Sequence, residues 1–137
     1  MNKLLLSFIL ILTGCNSGLV FSEVIMENIP SDVQKSIESV KTENGCYLFA
    51  DEGKDMYAFL NGGNVIPEEE AAFFTDIKIE QHEDTLNIYF TENKTGEYSN
   101  EKLKHQLFYK ITPHDSYEKI QLFRNEKPIP FDIVFGI

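Results

Sequence analysis

Residues 75 to 91 read TDIKIEQHEDTLNIYFT, and their alternation decides the fold class. Ile77 and Ile79 alternate with Asp76, Lys78 and Glu80. Leu86, Ile88 and Phe90 alternate with Asn87, Tyr89 and Thr91. A period of two puts the apolar set on one side of an extended chain and the polar set on the other. Each half therefore predicts a strand with one buried face. His82-Glu83-Asp84-Thr85 between them has the composition of a turn.

The same punctuation runs outward in both directions. Residues 46–50 (CYLFA) and 56–60 (MYAFL) are short aromatic-rich runs around Asp51-Glu52-Gly53-Lys54-Asp55, which predicts a hairpin. Asn61-Gly62-Gly63-Asn64 and Asn93-Lys94-Thr95-Gly96 read as turns. Further strands are expected near 106–112, 117–124 and 129–135, divided by Pro113-His114-Asp115 and Asn125-Glu126-Lys127-Pro128.

One segment breaks the period. Val33, Ile37 and Val40 recur at helical spacing, with Gln34, Lys35, Glu38 and Lys41 on the other side. Ser31 with Gln34 three residues later predicts a capping box, Asp32 suits the first turn, and Asn44-Gly45 is a stop signal. Glu68-Glu69-Glu70 after Pro67 reads as the acidic first turn of a short helix running into Ala71-Ala72-Phe73. The expectation is an α+β fold, mostly β: one N-terminal amphipathic helix over about 31–43, then a six- to seven-stranded antiparallel meander. The meander could be a curved sheet, a sandwich or a small barrel. The absence of βαβ alternation argues against a parallel α/β fold. Residues 19 to 29 are too apolar for a solvated linker and read either as a first strand or as a segment lying at a membrane surface.

The chain begins with Met1-Asn2-Lys3 and then the nine-residue run Leu4 to Leu12, interrupted only by Ser7. A bilayer-spanning helix needs roughly 18 apolar residues, so this run fits the core of an export signal instead. Leu12-Thr13-Gly14-Cys15 follows directly. Here the chain resembles bacterial lipoprotein precursors, whose lipobox is Leu, a small or polar residue, Gly or Ala, then Cys. The resemblance implies residues 1–14 as a signal peptide, cleavage before Cys15, and diacylglycerol on its sulfur. It also implies a location on the extracytoplasmic face of the cell membrane, or the outer membrane in a two-membrane cell. Residues 15–30 then form the lipidated cysteine with a tether or first strand, and 31–137 one globular domain.

A second resemblance rests on strand order alone. Residues 46 to 135 are similar to the β-rich accessory domains of bacterial protease-complex proteins. Those domains carry a Thr-Gly-Gly-Tyr turn after the second strand, whereas this chain has Gly62-Gly63-Asn64-Val65. No residue role follows from it.

Composition narrows the function. The 22 acidic and 12 basic residues give a net charge of −10, which repels a phosphate backbone and argues against nucleic acid as a partner. His82, His105 and His114 sit in turn-like or polar surroundings and read as solvated side chains. No GxSxG elbow, phosphate loop or calcium loop is present, and no cofactor or metal is implied. With Cys15 lipidated, Cys46 is the one free thiol, and its setting (GCYLF) is that of a small buried hydrophobe. Eleven Phe and six Tyr stand with no Trp. Phe49, Phe59, Phe90 and Phe123 fall inside strand runs and are expected in the core. Tyr47, Tyr57, Tyr89, Tyr109 and Tyr117 are the candidate binding residues, able to line a partner surface from the opposite strand faces. The expected function is that of a membrane-anchored, non-enzymatic protein-interaction or accessory module. The alternative is a β-barrel carrier with a Phe-lined cavity for a small apolar ligand.

Palmitate labelling tests the anchor: wild type should incorporate label, and Cys15→Ala should not and should accumulate as unprocessed precursor.

Overall fold

A computed structural model describes residues 19–50, 55–114 and 116–136. The chain is mostly β, with two sheets and one helix, and the sheets are not closed. The first sheet has the order β1 (Val20–Val24), β6 (Gln106–Thr112), β3 (Met56–Asn61), β2 (Gly45–Ala50), β9 (Ile133–Gly136). The second has the order β4 (Ala71–His82), β5 (Thr85–Thr95), β7 (Lys119–Arg124), β8 (Lys127–Ile129). Helix α1 spans Ser31–Val40.

The layers follow from where apolar side chains alternate. In β2 and β3 both faces are apolar. Cys46, Leu48, Met56, Ala58 and Leu60 point to one side, where they meet Phe74, Ile79, Leu86, Ile88, Phe90 and Leu122 of the second sheet. Tyr47, Phe49, Tyr57 and Phe59 point to the other side, onto Val33, Ile37 and Val40 of α1. The result is three layers, helix on sheet on sheet, with β2 and β3 in the middle. Ring packing reinforces the helix side, where Phe59 stacks on Phe108 at 4.5 Å and Phe49 on Phe135 at 4.9 Å.

Local signals were realised in modified form. Of the two readings of residues 19–29, a strand forms over Val20–Val24, paired antiparallel with β6. The expected capping box is corrected. Pro30 occupies the N-cap without a side-chain cap, and the Gln34 amide instead donates to Met26 O and Ile29 O at 3.0 and 2.7 Å. That amide ties α1 to the 3-10 turn at Met26–Asn28, which needs those carbonyls satisfied. The acidic run Glu68–Glu70 is also not a helix start. It forms a turn with Glu68 at positive φ, and Ala71–Phe73 open β4. Asn93–Thr95 belong to β5 and are not a turn.

The connectivity corrects the all-antiparallel meander, because β2 pairs with β9 and β5 with β7 in parallel. The expected strand at 129–135 divides around Pro130-Phe131-Asp132, with β8 in the second sheet and β9 in the first. Proline cannot donate to a ladder, so the chain leaves one sheet there and enters the other. Asp132 fixes the re-entry: its carboxylate accepts from Cys46 N at 2.7 Å, and its own N–H donates to Cys46 O at 2.8 Å. Gly45 permits that approach, since a β-carbon there would sit 2.5 Å from the Asp132 carboxylate. The hairpin loop expected at 51–55 joins β2 to β3, but residues 51–54 lie outside the described residues.

The end of α1 is held by an amide network. Asn61 is 2% exposed, and its Nδ2 donates to Lys41 O and Glu43 O at 3.1 and 2.9 Å. Its Oδ1 accepts from Gly63 N and from Gln106 Nε2. Asn64 adds a third bond to the helix end through Lys41 O and exchanges three more with Asn44. The segment Asn61–Asn64 therefore works as a clasp on the helix terminus, satisfying carbonyls that helix geometry leaves unpaired.

Asn61→Ala removes four bonds at a buried position and should cost about 2–4 kcal/mol, since each stranded buried group carries a desolvation penalty. Phe59→Ala should cost about 3–5 kcal/mol through the cavity it leaves. Both should lower the urea midpoint with an unchanged slope.

Candidate interaction face

The first sheet is covered on both sides, by α1 and by the second sheet. The outer face of the second sheet is the sheet face that no other layer covers among the described residues. One row of cross-strand partners crosses all four of its strands: Lys78 opposite Tyr89, Tyr89 beside Phe123, Phe123 opposite Pro128. Tyr89 and Phe123 stack with centroids 4.8 Å apart at 16°. The Lys78 ammonium lies 5.8 Å from the Tyr89 ring centroid, within cation–π range. A β-bulge between Thr75 and Lys78, with Asp76 at positive φ, resets β4 so that Lys78 and not Ile77 stands on this face.

Polar rows border the aromatic one. Glu80, Asn87 and Gln121 form the next row, and His82, Thr85 and Lys119 the one beyond. Glu80 receives Lys78 Nζ at 3.1 Å and His82 Nε2 at 3.3 Å. Burial pushes the Glu80 carboxyl up, but the hydrogen bonds from Lys78 and His82 outweigh it and hold it below its ordinary value. Asn87 Oδ1 is buried and accepts no hydrogen bond. At the β8 edge a groove of about 390 Å³ runs between Ile120–Leu122 and Pro128–Phe131. The arrangement is an apolar, aromatic centre with a polar surround.

The structure separates the five candidate tyrosines. Tyr47 and Tyr57 are buried under α1 at 3% and 7% exposure, and so are part of the core and not of a surface. The reason is that β2 and β3 have no polar face, so their tyrosines pack with the phenylalanines. Tyr47 satisfies its hydroxyl on Glu43 O at 2.8 Å. Tyr109 and Tyr117 are half-buried against the inter-sheet core. Tyr89 alone of the five lies in the outer row. Phe123 is corrected in the opposite sense: expected in the core, it is on the outer face beside Tyr89. The signal was available, because Ile120 and Leu122 set the inner side of β7 and Phe123 shares the parity of Gln121. Lys78 and Pro128 carry no comparable signal, since their placement depends on the bulge and on strand pairing. Cys15 lies outside the described residues.

The histidines do not assemble a site with Cys46. His105 is bonded through Nδ1 to Ala72 O at 2.6 Å, the His114 N–H donates to Gln81 Oε1, and His82 sits with Glu80. Among the described residues, no three of His, Cys, Asp and Glu come together to hold a metal ion. Comparison with protein-family models, curated proteins and solved structures finds no match.

Cys46 is free, buried and on the inner side of β2. Burial, with the Asp132 carboxylate adding to it, pushes its thiol from an ordinary value near 9 up to about 12. The folded protein should therefore resist alkylation at pH 8 and react at the rate of unfolding. The thiol's contribution to stability is whole below about pH 9 and is lost as the pH rises from there to about 12, because the unfolded chain ionises first. Burial also raises Tyr47 and Tyr109, so chemical denaturation across that range should show a pH-dependent loss in both proteins, steeper in wild type than in Cys46→Ala.

Proposed function

We propose that this chain is a bacterial lipoprotein, anchored through acylated Cys15 on the extracytoplasmic face of the cell membrane. Its β-rich domain serves there as a non-enzymatic protein-interaction or accessory module. The observation that carries the anchor is Leu12-Thr13-Gly14-Cys15 directly after the apolar run. Two or three acyl chains make attachment effectively permanent for a domain of this size.

The interaction reading is supported by the row Lys78–Tyr89–Phe123–Pro128 on the uncovered sheet face. Tyr89 and Phe123 are large, stacked and half-buried, so they lose little freedom when a partner covers them. The partner surface is a protein patch with an apolar or proline-rich centre. The net charge of −10 acts on encounter, so a basic partner associates faster at low salt. The centre of the space between the sheets is occupied by Leu48, Met56, Leu86, Ile111 and Leu122, each at most 2% exposed, so a ligand carrier would have only the groove at the β8 edge to use.

Photocrosslinking from position 123 in intact cells, followed by pull-down, tests this reading. A discrete protein adduct is expected. Tyr89→Ala and Phe123→Ala should each speed dissociation of that partner, at about 2 kcal/mol for a hot-spot residue, and leave folding cooperative. Recovery of a bound small molecule with no protein enriched would overturn it.

A further inference from the structure

Among the described residues the first sheet has two open edges, and both carry exposed apolar side chains. On β9, at one edge, Ile133 and Val134 are exposed. At the other edge, Val20 and Phe21 of β1, and Ile25 just after it, are exposed. What distinguishes the two edges is the chain that leads to them. Leu19 is half-buried against the inter-sheet core, so the fold holds the chain from that residue onward. Only residues 16 to 18 lie between Leu19 and Cys15.

Resting on the lipoprotein reading above, we propose that the β1 edge is seated on the lipid surface, with Val20, Phe21 and Ile25 at headgroup depth. Four Cα steps from Cys15 to Leu19 reach about 14 Å at most, even fully extended. A domain of this length has a radius of gyration of about 13–14 Å, so it is wider than its tether is long. The start of β1 cannot stand clear of the bilayer to which Cys15 is fixed, whereas β9 lies across the full width of the sheet. Apolar side chains held that close to the interface gain by entering it, and the unpaired backbone of an edge strand stays hydrated among headgroups. No deep insertion is implied: Glu23 on the same strand is paired with Lys104, and Ser22 is polar. The seating also fixes the molecule's bearing, because the anchor holds one edge of the first sheet while the aromatic row is on the outer face of the second.

The test uses the full chain, acylated in a bacterium that processes lipoproteins and reconstituted into phosphatidylcholine vesicles. An environment-sensitive fluorophore is placed on Ser22→Cys or on Val134→Cys. Cys46 is buried and should remain unlabelled. Acylation is verified by mass before each measurement. The expected result is a blue shift and quenching by lipid-borne quencher at position 22, and neither at position 134. Val20→Asn with Ile25→Asn should return the position-22 emission toward its value in water. An acylated protein whose position-22 label reports water, or whose position-134 label reports lipid, would overturn the seating and leave the anchor standing. A protein that is not acylated would overturn both.

Discussion

The structure depends on the two-sided burial of β2 and β3. In a sheet covered on one face, a hairpin needs only every second residue to be apolar. Here Cys46 to Phe49 and Met56 to Leu60 are apolar without interruption, and all are at most 7% exposed. Such a hairpin is insoluble alone and requires a layer on each side. The helix supplies one with a narrow stripe of Val33, Ile37 and Val40, and the second sheet supplies the other. Once those layers are in place, the second sheet has its inner face used and its outer face spare. The uncovered aromatic row is thus a consequence of how the centre is satisfied.

Two polar seams hold the layers in register, and each relies on a residue that tolerates close backbone approach. At the helix end, Asn61 carries bonds to α1, to its own turn and to β6, and Gly62 lies where a β-carbon would come within 2.9 Å of Ala72. At the sheet crossover, Asp132 bonds the backbone of Cys46 over Gly45. The seams lie side by side at one end of the first sheet, where Gly45 pairs with Asn61, so slippage of the β2–β9 or β3–β6 pair would strand buried donors and acceptors. Apolar packing tolerates small shifts, whereas a stranded amide costs its full desolvation. These contacts therefore select one register among the several that hydrophobic contact alone would allow.

What the sequence made legible was local. The strands of 75–91 and 106–112 are visible as period-two runs because alternation is a property of neighbouring residues. Their partners are not, since the parallel pairing of β5 with β7 depends on a return across the other sheet that no short window contains. The tyrosines differ in a way that is local: Tyr47 lies in an unbroken apolar run, the pattern of a strand covered on both sides, whereas Tyr89 shares the polar parity of Asn87 and Thr91 on a strand covered on one. The turn signal at Asn61–Asn64 was legible as a break in the chain, but its role as a helix clasp requires the helix end to be twenty residues away in sequence and adjacent in space.

Edges usually decide how an open sandwich meets its neighbours, because an unpaired strand invites another. In the second sheet both edges are blunted. β8 is three residues long with Pro128 within it and Pro130 just beyond, and β4 is broken by a bulge at Asp76. In the first sheet β9 has only four residues and β1 five. Strand addition by a partner thus meets proline, irregular backbone or short length at each edge. A face has none of these obstacles. Tyr89 and Phe123 are already stacked, Lys78 already lies over the ring, and the surrounding Glu80 pairs are satisfied. Contact there would cost little reorganisation, so the proposed interaction role draws on side chains of the second sheet and leaves the backbone of both sheets to hold the fold.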